Sequence, residues 1–190
     1  MPTITEKGIR LDFPSDWATV KYDGDAQSAN ASFYRTYIES KVQNVRGVDG
    51  VSLTPRPEQR LLLIEVKDYR VSGTRAEDKI AELRQTVVQK ALNTLSGLYA
   101  AARIHDPELR PVAACIFQPG LRIEVILFLE RPPLPVAPVT VAGKLRRQNP
   151  QNAVDDLRLQ LTSRLNGLGM AFEFRSSAAM KLLDGWSAKT

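Results

Sequence analysis

The stretch Leu61-Leu-Leu-Ile-Glu-Val-Lys-Asp-Tyr-Arg70 decides the fold of this chain. Its first part, from Leu61 to Ile64, is apolar without a break, which is typical of a strand buried on both faces of a sheet. Because side chains alternate along a strand, Glu65 and Lys67 lie on the same face as Leu61. A buried charge needs a partner, so the pattern indicates a functional site. The alternative is that the strand reaches water here, where Glu65 and Lys67 pair weakly.

A second strand is predicted over Val45–Leu53, where Asp49 alternates in phase with apolar residues. The polar, proline-containing segment Thr54–Gln59 then predicts the turn of an antiparallel hairpin. If that turn is centred near Pro57, Asp49 faces Glu65 across the hairpin with Cβ atoms about 5 Å apart. Two carboxylates this close repel each other unless a proton or a cation lies between them. A slip of one residue would place them on opposite faces, so the prediction depends on the register.

Hydrophobic periodicity predicts the other elements. The longest helical pattern is Arg75–Ile104, whose apolar residues recur at steps of three and four, as in an amphipathic helix. The remaining predictions are two edge strands within Ile9–Tyr22, a plain turn at Asp23-Gly24-Asp25, a short helix at Ser28–Val42, strands at Pro111–Gln118 and Leu121–Glu130, a helix from Asn149-Pro150 to Gly167, a strand at Met170–Phe174 and a short helix at Ala178–Leu183. This alternation predicts an α/β protein.

The length of 190 residues suits a single domain. Residues 1–130 are predicted to form an α/β core with edge strands at its N-terminal end. Residues 131–190 are predicted to add the proline-rich connector Arg131–Pro138 and a helix–strand extension that packs on this core.

The composition narrows the class of protein. A net charge of +5 is compatible with a polyanionic partner without requiring one. The single cysteine, Cys115, excludes an intramolecular disulfide and is expected to be a buried small hydrophobe, and the single histidine, His105, argues against a zinc site. The sequence has neither a signal-peptide core nor an apolar run that could span a membrane. We therefore expect a soluble, cytoplasmic protein with no membrane partner.

The order of these elements, with Asp49 on one strand and Glu65-x-Lys67 on the next, resembles the PD-(D/E)XK nuclease superfamily. The core of that family is a helix, a three-stranded antiparallel meander, a second helix and a further strand. The resemblance covers about Ala29–Glu130, and Val48 stands where the family name has proline. It implies a restriction-endonuclease-like fold, in which a mixed central sheet with an antiparallel meander is flanked by helices.

The resemblance also implies roles for the charged residues. Asp49 and Glu65 would hold Mg²⁺ or Mn²⁺, and the backbone carbonyl of Val66 would complete the shell, because hard cations prefer oxygen ligands. Lys67 would orient the attacking water or offset the charge that develops in the transition state.

Two further positions follow from the same resemblance. Family members often use a glutamate of the first helix, for which Glu39 is the candidate. They also often place a polar residue of the second helix near the site, and Gln89 or Lys90 is expected there. The alternative for Lys90 is a lysine whose stem covers the core while its ammonium reaches water.

The function that the resemblance implies is a Mg²⁺-dependent phosphodiesterase acting on nucleic acid, such as a nuclease of defence or repair. No motif separates DNA from RNA, and DNA is the expected partner. The residues expected to contact phosphates are Arg35, Lys41, Arg46, Arg70 and Arg75. The first alternative is a catalytically inactive protein of the same fold that binds nucleic acid or protein. The second is an α/β protein with no link to nucleic acid. Oligomeric state is left open between a monomer, a homodimer and a larger complex.

Overall fold

The computed structural model describes residues 1–24, 33–42, 45–70, 76–132, 141–180 and 185–190, without the side chains of residues 76–79, 81 and 141–150. Some predictions fall outside these residues. They are the phosphate contact by Arg75, most of the connector Arg131–Pro138, the last residue of Asp23-Gly24-Asp25, the first part of the helix within Ser28–Val42, and the end of the helix at Ala178–Leu183.

A five-stranded mixed sheet forms the centre of this α/β fold, with the strand order β3-β4-β5-β6-β7. Its first three strands form an antiparallel meander, and its last three run parallel. The predicted antiparallel pairing of the two hairpin strands, β4 and β5, is therefore confirmed. The bounds are β3 Ala18–Lys21, β4 Gly50–Leu53, β5 Arg60–Asp68, β6 Arg122–Glu130 and β7 Met170–Arg175.

Strand β5 is buried on both faces, as its apolar run predicts. Leu61 and Leu63 belong to the larger core, beneath a helical layer. Leu62 and Ile64 belong to a second core on the other face. In the helical layer, the helices α1, Ala76–Ile104, and α3, Val141–Asn166, pack against each other.

The second core is covered by a small antiparallel sheet with the strand order β1-β2-β8. Its strands are β1 Thr3–Glu6, β2 Ile9–Asp12 and β8 Ser187–Lys189. Phe13 and Trp186 stack there, with ring centroids 5.4 Å apart. The two strands predicted within Ile9–Tyr22 therefore exist, but β2 belongs to this small sheet and β3 to the central one. Strand β8 was not predicted.

The remaining helical segments are short. A π-helix, Tyr34–Glu39, lies between β3 and β4 in the chain. The resemblance implied a helix before the whole meander, so the order of elements departs from that pattern here. Ser177–Ala179 forms a 3₁₀ turn, and α2 spans Arg110–Ala113. Among the described residues, no helix is both long and apolar enough to cross a membrane.

The prediction of a strand at Pro111–Gln118 is wrong. This segment is helical, with α2 followed by the 3₁₀ helix Ala114–Phe117. Pro111 suits the first turn of a helix, where its missing N–H is not needed, and alanine is the best helix former. The prediction that Cys115 is buried is confirmed, and burial raises the pKa of its thiol to about 11.

The predicted start of the last long helix is also wrong. Helix α3 begins at Val141, so Asn149-Pro150 lies inside it instead of capping it. An internal proline costs about 3 kcal/mol of helix stability, which is why it reads as a boundary. Here tertiary packing outweighs that local signal, because Leu157, Leu161 and Leu165 are fully buried at the predicted helical spacing.

Candidate active site at the end of the hairpin

The register of the hairpin decides where the two carboxylates lie. Gly50 pairs with Ile64, and Leu53 pairs with Leu61. Continued by one residue, this register places Asp49, just before β4, across from Glu65, as predicted. Both residues are in phase with the side chains that face α1, because Val51 and Leu63 belong to the core on that side.

Glu65 is fully buried and is held by two ammonium groups. Lys67, from the same strand, donates to its Oε1. Lys90, from helix α1, lies 2.7 Å from Oε1 and 2.9 Å from Oε2. The side chains of Lys67 and Lys90 are only 15% and 12% exposed, so bulk water screens neither charge strongly. The prediction that buried charges here have partners is confirmed.

Asp49 joins the same group of charges. Its Oδ1 lies 3.8 Å from the ammonium of Lys90, and its Oδ2 accepts a hydrogen bond of 2.6 Å from the backbone N–H of Val66. Lys90 thus bridges the two carboxylates. We call Asp49, Glu65, Lys67 and Lys90 the charged cluster.

The backbone around Asp49 is fixed on both sides. The N–H of Val48 donates to the hydroxyl of Thr94 on α1 over 3.0 Å, and the carbonyl of Asp49 accepts from the N–H of Tyr22 over 3.0 Å. Thr94 is fully buried. The meander and the helix therefore position Asp49 together, and its place does not depend on the short strand β4 alone.

The environment shifts the titration of the charged cluster. Burial and the neighbouring Asp49 raise the pKa of Glu65, although Lys67 and Lys90 oppose the shift. This agrees with the expectation that one of two close carboxylates has a raised pKa. Burial alone would lower the pKa of Lys67, but Glu65 and Asp49 outweigh it and raise the pKa. Lys67 therefore keeps its ammonium at neutral pH.

Two carboxylates that sequence reasoning missed lie next to Asp49. Glu6 of β1, Asp23 and Asp49 each have a carboxylate oxygen within 4.8 Å of the others. Lys21 bridges Glu6 and Asp23 at 2.8 and 2.9 Å. Burial, opposed by Lys21, raises the pKa of Asp23 to about 6. Asp23 was interpreted as part of a plain turn, and no local signal in the sequence brings Glu6 here, since its place depends on how the small sheet packs.

A cleft opens beside the charged cluster. It has a volume of about 260 Å³ and is lined by Arg46, Thr86, Gln89 and Lys90. Thr86 and Gln89 also line a neighbouring cleft of about 480 Å³, which runs along α1 and reaches Arg164 of α3. Gln89 and Lys90, the two positions expected from the second helix, therefore both face solvent-filled space, while Lys90 alone also reaches the carboxylates.

The other predicted residues lie apart from the cluster. Glu39 is 52% exposed and pairs with Arg35 at 3.7 Å, and none of its contacts among the described residues is with the cluster. Lys41 is exposed, and Arg70 pairs with Asp68 at 2.7 Å. Of the predicted phosphate contacts, Arg46 is the one that lines the cleft beside Lys90.

Comparisons with known proteins add one similarity. No family model matches the chain, and no solved structure matches it. The chain is 25% identical over 150 residues to the cysteine–tRNA ligase of Neisseria meningitidis serogroup A. The similarity covers 70% of this chain and 22% of that protein. It therefore concerns a minor part of the ligase.

Proposed function

We propose that this chain is a divalent-metal-dependent phosphodiesterase that acts on nucleic acid, with DNA as the expected substrate. One observation carries the proposal. Asp49 and Glu65 converge at the end of two adjacent antiparallel strands, with Lys67 and Lys90 beside them. Two carboxylates that can hold a metal ion, beside a lysine that can offset negative charge, are suitable for phosphodiester hydrolysis.

The antiparallel meander followed by a long helix and a parallel strand supports a restriction-endonuclease-like fold for this proposal. The position of the π-helix between β3 and β4 is a departure from that pattern. The fold assignment consequently depends on the central sheet and α1, which are the elements that position the charged cluster.

The ligand atoms that the cluster offers are of the type that a hard divalent cation prefers. Asp49 and Glu65 offer carboxylate oxygens, and the ammonium of Lys90 already serves as a stand-in cation between them. The N–H and C=O of one strand residue point to the same edge, so the carbonyl of Val66 lies on the side where its N–H meets Asp49. Asp49, Glu65 and Val66 would thus hold the ion.

A bound divalent ion would polarise the scissile phosphodiester and favour ionisation of a water molecule. The chain would supply the rest. Lys67, held beside Glu65, would offset negative charge that develops on the phosphate. Arg46, in the adjoining cleft, would hold a neighbouring phosphate and set the register of the substrate without reading its sequence.

A second candidate function is favoured by the pairing of Glu65. Both of its carboxylate oxygens already accept from lysine ammonium groups. A cluster that is neutralised in this way is also what a non-catalytic protein of the same fold would keep as a structural ion-pair network. Such a protein would bind nucleic acid or a protein partner without cleaving a phosphodiester.

Cleavage assays separate the two candidates. Supercoiled plasmid, single-stranded DNA and single-stranded RNA would be incubated with Mg²⁺, with Mn²⁺ and with a chelator. The RNA substrate is included because the similar protein is named as a tRNA ligase. We expect metal-dependent cleavage that the chelator abolishes. Binding without cleavage would support the second candidate, and cleavage that persists in chelator would overturn the proposed metal.

Variants connect any activity to the cluster. Asp49→Asn and Lys67→Met should each lower the rate at least about 100-fold, as the loss of one transition-state contact does elsewhere. The matched control is Asp16→Asn, because Asp16 is an exposed aspartate outside the charged cluster. Control activity should match the wild type. Full activity in Asp49→Asn would show that a contaminant or another site cleaves the substrate.

A further inference from the structure

Lys90 occupies the position between the two carboxylates. Its ammonium lies 2.7 and 2.9 Å from the oxygens of Glu65 and 3.8 Å from Oδ1 of Asp49. Among the described residues, the carboxylate that Lys67 pairs with is that of Glu65. The Lys90 ammonium therefore neutralises the same pair of carboxylates that a divalent ion would neutralise.

The two cations exclude each other at this position. Mg²⁺ requires its oxygen ligands at roughly 2.0–2.1 Å, so an ion shared by Asp49 and Glu65 would lie between them, in the place that the Lys90 ammonium occupies. Their positive charges also repel strongly where water is excluded, and Glu65 is fully buried. Binding of the ion thus requires that Lys90 leave.

The structure offers Lys90 a second position. Its side chain also lines the cleft of about 260 Å³ that Arg46, Thr86 and Gln89 complete. A lysine has a flexible stem of four carbons and can move its ammonium between the two places while its backbone stays in α1. Lys67 does not line this cleft. Lys90 is thus the lysine of the cluster that combines the bridging contact with an exit.

We propose that Lys90 is an exchangeable internal cation, which holds Asp49 and Glu65 together until a divalent ion replaces it and its ammonium turns into the cleft beside Arg46. The inference rests on the proposed function for the identity of the ion. It goes beyond that function because it makes metal binding an exchange between two cations and assigns Lys90 two positions.

Chemical labelling of the unmodified chain tests this exchange without an activity assay. The chain would be treated with an amine-acetylating reagent in chelator and in saturating Mn²⁺, and acetylation would be measured at each lysine by mass spectrometry. We expect the labelling rate of Lys90 to rise at least about fivefold with Mn²⁺, because the ammonium enters the cleft. Lys67 is the internal reference and should stay slow. A rate at Lys90 that is unchanged or lower with Mn²⁺ bound would overturn the inference.

Metal affinity provides a second test. Titration followed by the electron paramagnetic resonance of Mn²⁺ should show that Lys90→Met binds the ion about tenfold more tightly than wild type, because the competing charge is gone. Arg103→Met removes an exposed charge from the last turn of α1, away from this cleft, and its affinity should equal that of the wild type. Equal affinity in Lys90→Met and wild type, or no binding by either, would overturn the inference. If Lys90→Met does not fold, the labelling of the unmodified chain decides.

The two proposals fail in different ways. Mn²⁺ binding with exposure of Lys90 but no cleavage would retain the exchange and overturn the nuclease. Metal-dependent cleavage with Lys90 labelling unchanged would retain the nuclease and overturn the exchange.

Discussion

The hydroxyl of Tyr22 lies against Gly97 of helix α1, with no room between them for a side-chain carbon. A Cβ at Gly97 would overlap this hydroxyl, and a Cβ at Gly47 would lie 2.6 Å from the ring. The ring of Tyr22 is thus enclosed by two glycines, and its backbone N–H donates to the carbonyl of Asp49. This packing connects α1 to the part of the meander that holds Asp49.

Gly97→Ala should destabilise the chain by about 1–3 kcal/mol, because overpacking forces the tyrosine or the helix to shift. Urea unfolding would measure the change. Gly167→Ala is the control, since a Cβ there meets its nearest atoms at an ordinary 3.5 Å. Among the described residues, the Tyr22 hydroxyl has no hydrogen-bond partner. Tyr22→Phe should therefore leave stability unchanged or raise it, and should partly rescue Gly97→Ala. A Gly97→Ala chain as stable as wild type would contradict the packing.

Thr94→Val should destabilise the chain by about 1–3 kcal/mol, because it leaves the buried N–H of Val48 without its acceptor. Thr94→Ser keeps a hydroxyl and is the matched control. Thermal unfolding would compare the variants. Since Val48 precedes Asp49, we also expect Thr94→Val to weaken Mn²⁺ binding, whereas Thr94→Ser should retain it. Equal stability of the two variants would show that the hydrogen bond contributes nothing.

Asp23 should make stability fall as the pH rises between about 4 and 6. Its pKa in the folded chain is raised to about 6 from 3.8, so the folded state holds a proton that the unfolded state has already released. The stability that this proton contributes is present below the unfolded pKa and is lost as the pH passes the folded pKa.

The test compares urea midpoints at pH 4 and pH 7. Asp23→Asn has no carboxyl proton to lose, so its urea midpoint should rise relative to that of the wild type as the pH rises. The exposed Asp16 is the control position, and Asp16→Asn should follow the wild type. A difference between Asp23→Asn and wild type that does not change with pH would contradict this account.

Arg46→Gln should weaken duplex DNA binding and reduce its dependence on salt. One phosphate contact contributes about 0.9 to the slope of log affinity against log salt concentration. Affinities would be measured by fluorescence anisotropy across a salt series. Arg122→Gln is the control, because Arg122 of β6 lies opposite Arg60 in the strand register, at the far end of β5 from Lys67. Binding that ignores ionic strength would count against any nucleic-acid partner.

The hairpin could be predicted because its signals are local. The turn residues set the register, and the register together with the two-residue period of strands places Asp49 and Glu65 on one face. The pairing observed for Gly50 with Ile64 is the one that a turn centred at Pro57 requires. A short segment of sequence therefore contained most of the information for the charged cluster.

The features that sequence reasoning missed depend on long-range packing. Glu6 approaches Asp49 because the small sheet covers the central one, which no periodicity encodes. The segment around Pro111 has apolar residues that suit either a strand or a helix, and its contacts with α1 and the meander are met by helical turns. The bridging position of Lys90 likewise requires the crossing of α1 over β5, whereas its sequence context fits a lysine that reaches water.

The pairing of β5 with β6, a strand that follows much later in the chain, affects when the site can form during translation. The residues of the charged cluster all lie between positions 49 and 90, yet β6 begins only at Arg122. A chain that emerges from the ribosome carries the complete set of charges before it has the strand that buries Glu65. Until β6 docks, these charges are solvated and attract one another only weakly. Translation thus separates the appearance of the charges from the appearance of the site, and a chain truncated before β6 would contain every residue of the cluster in an open, hydrated form.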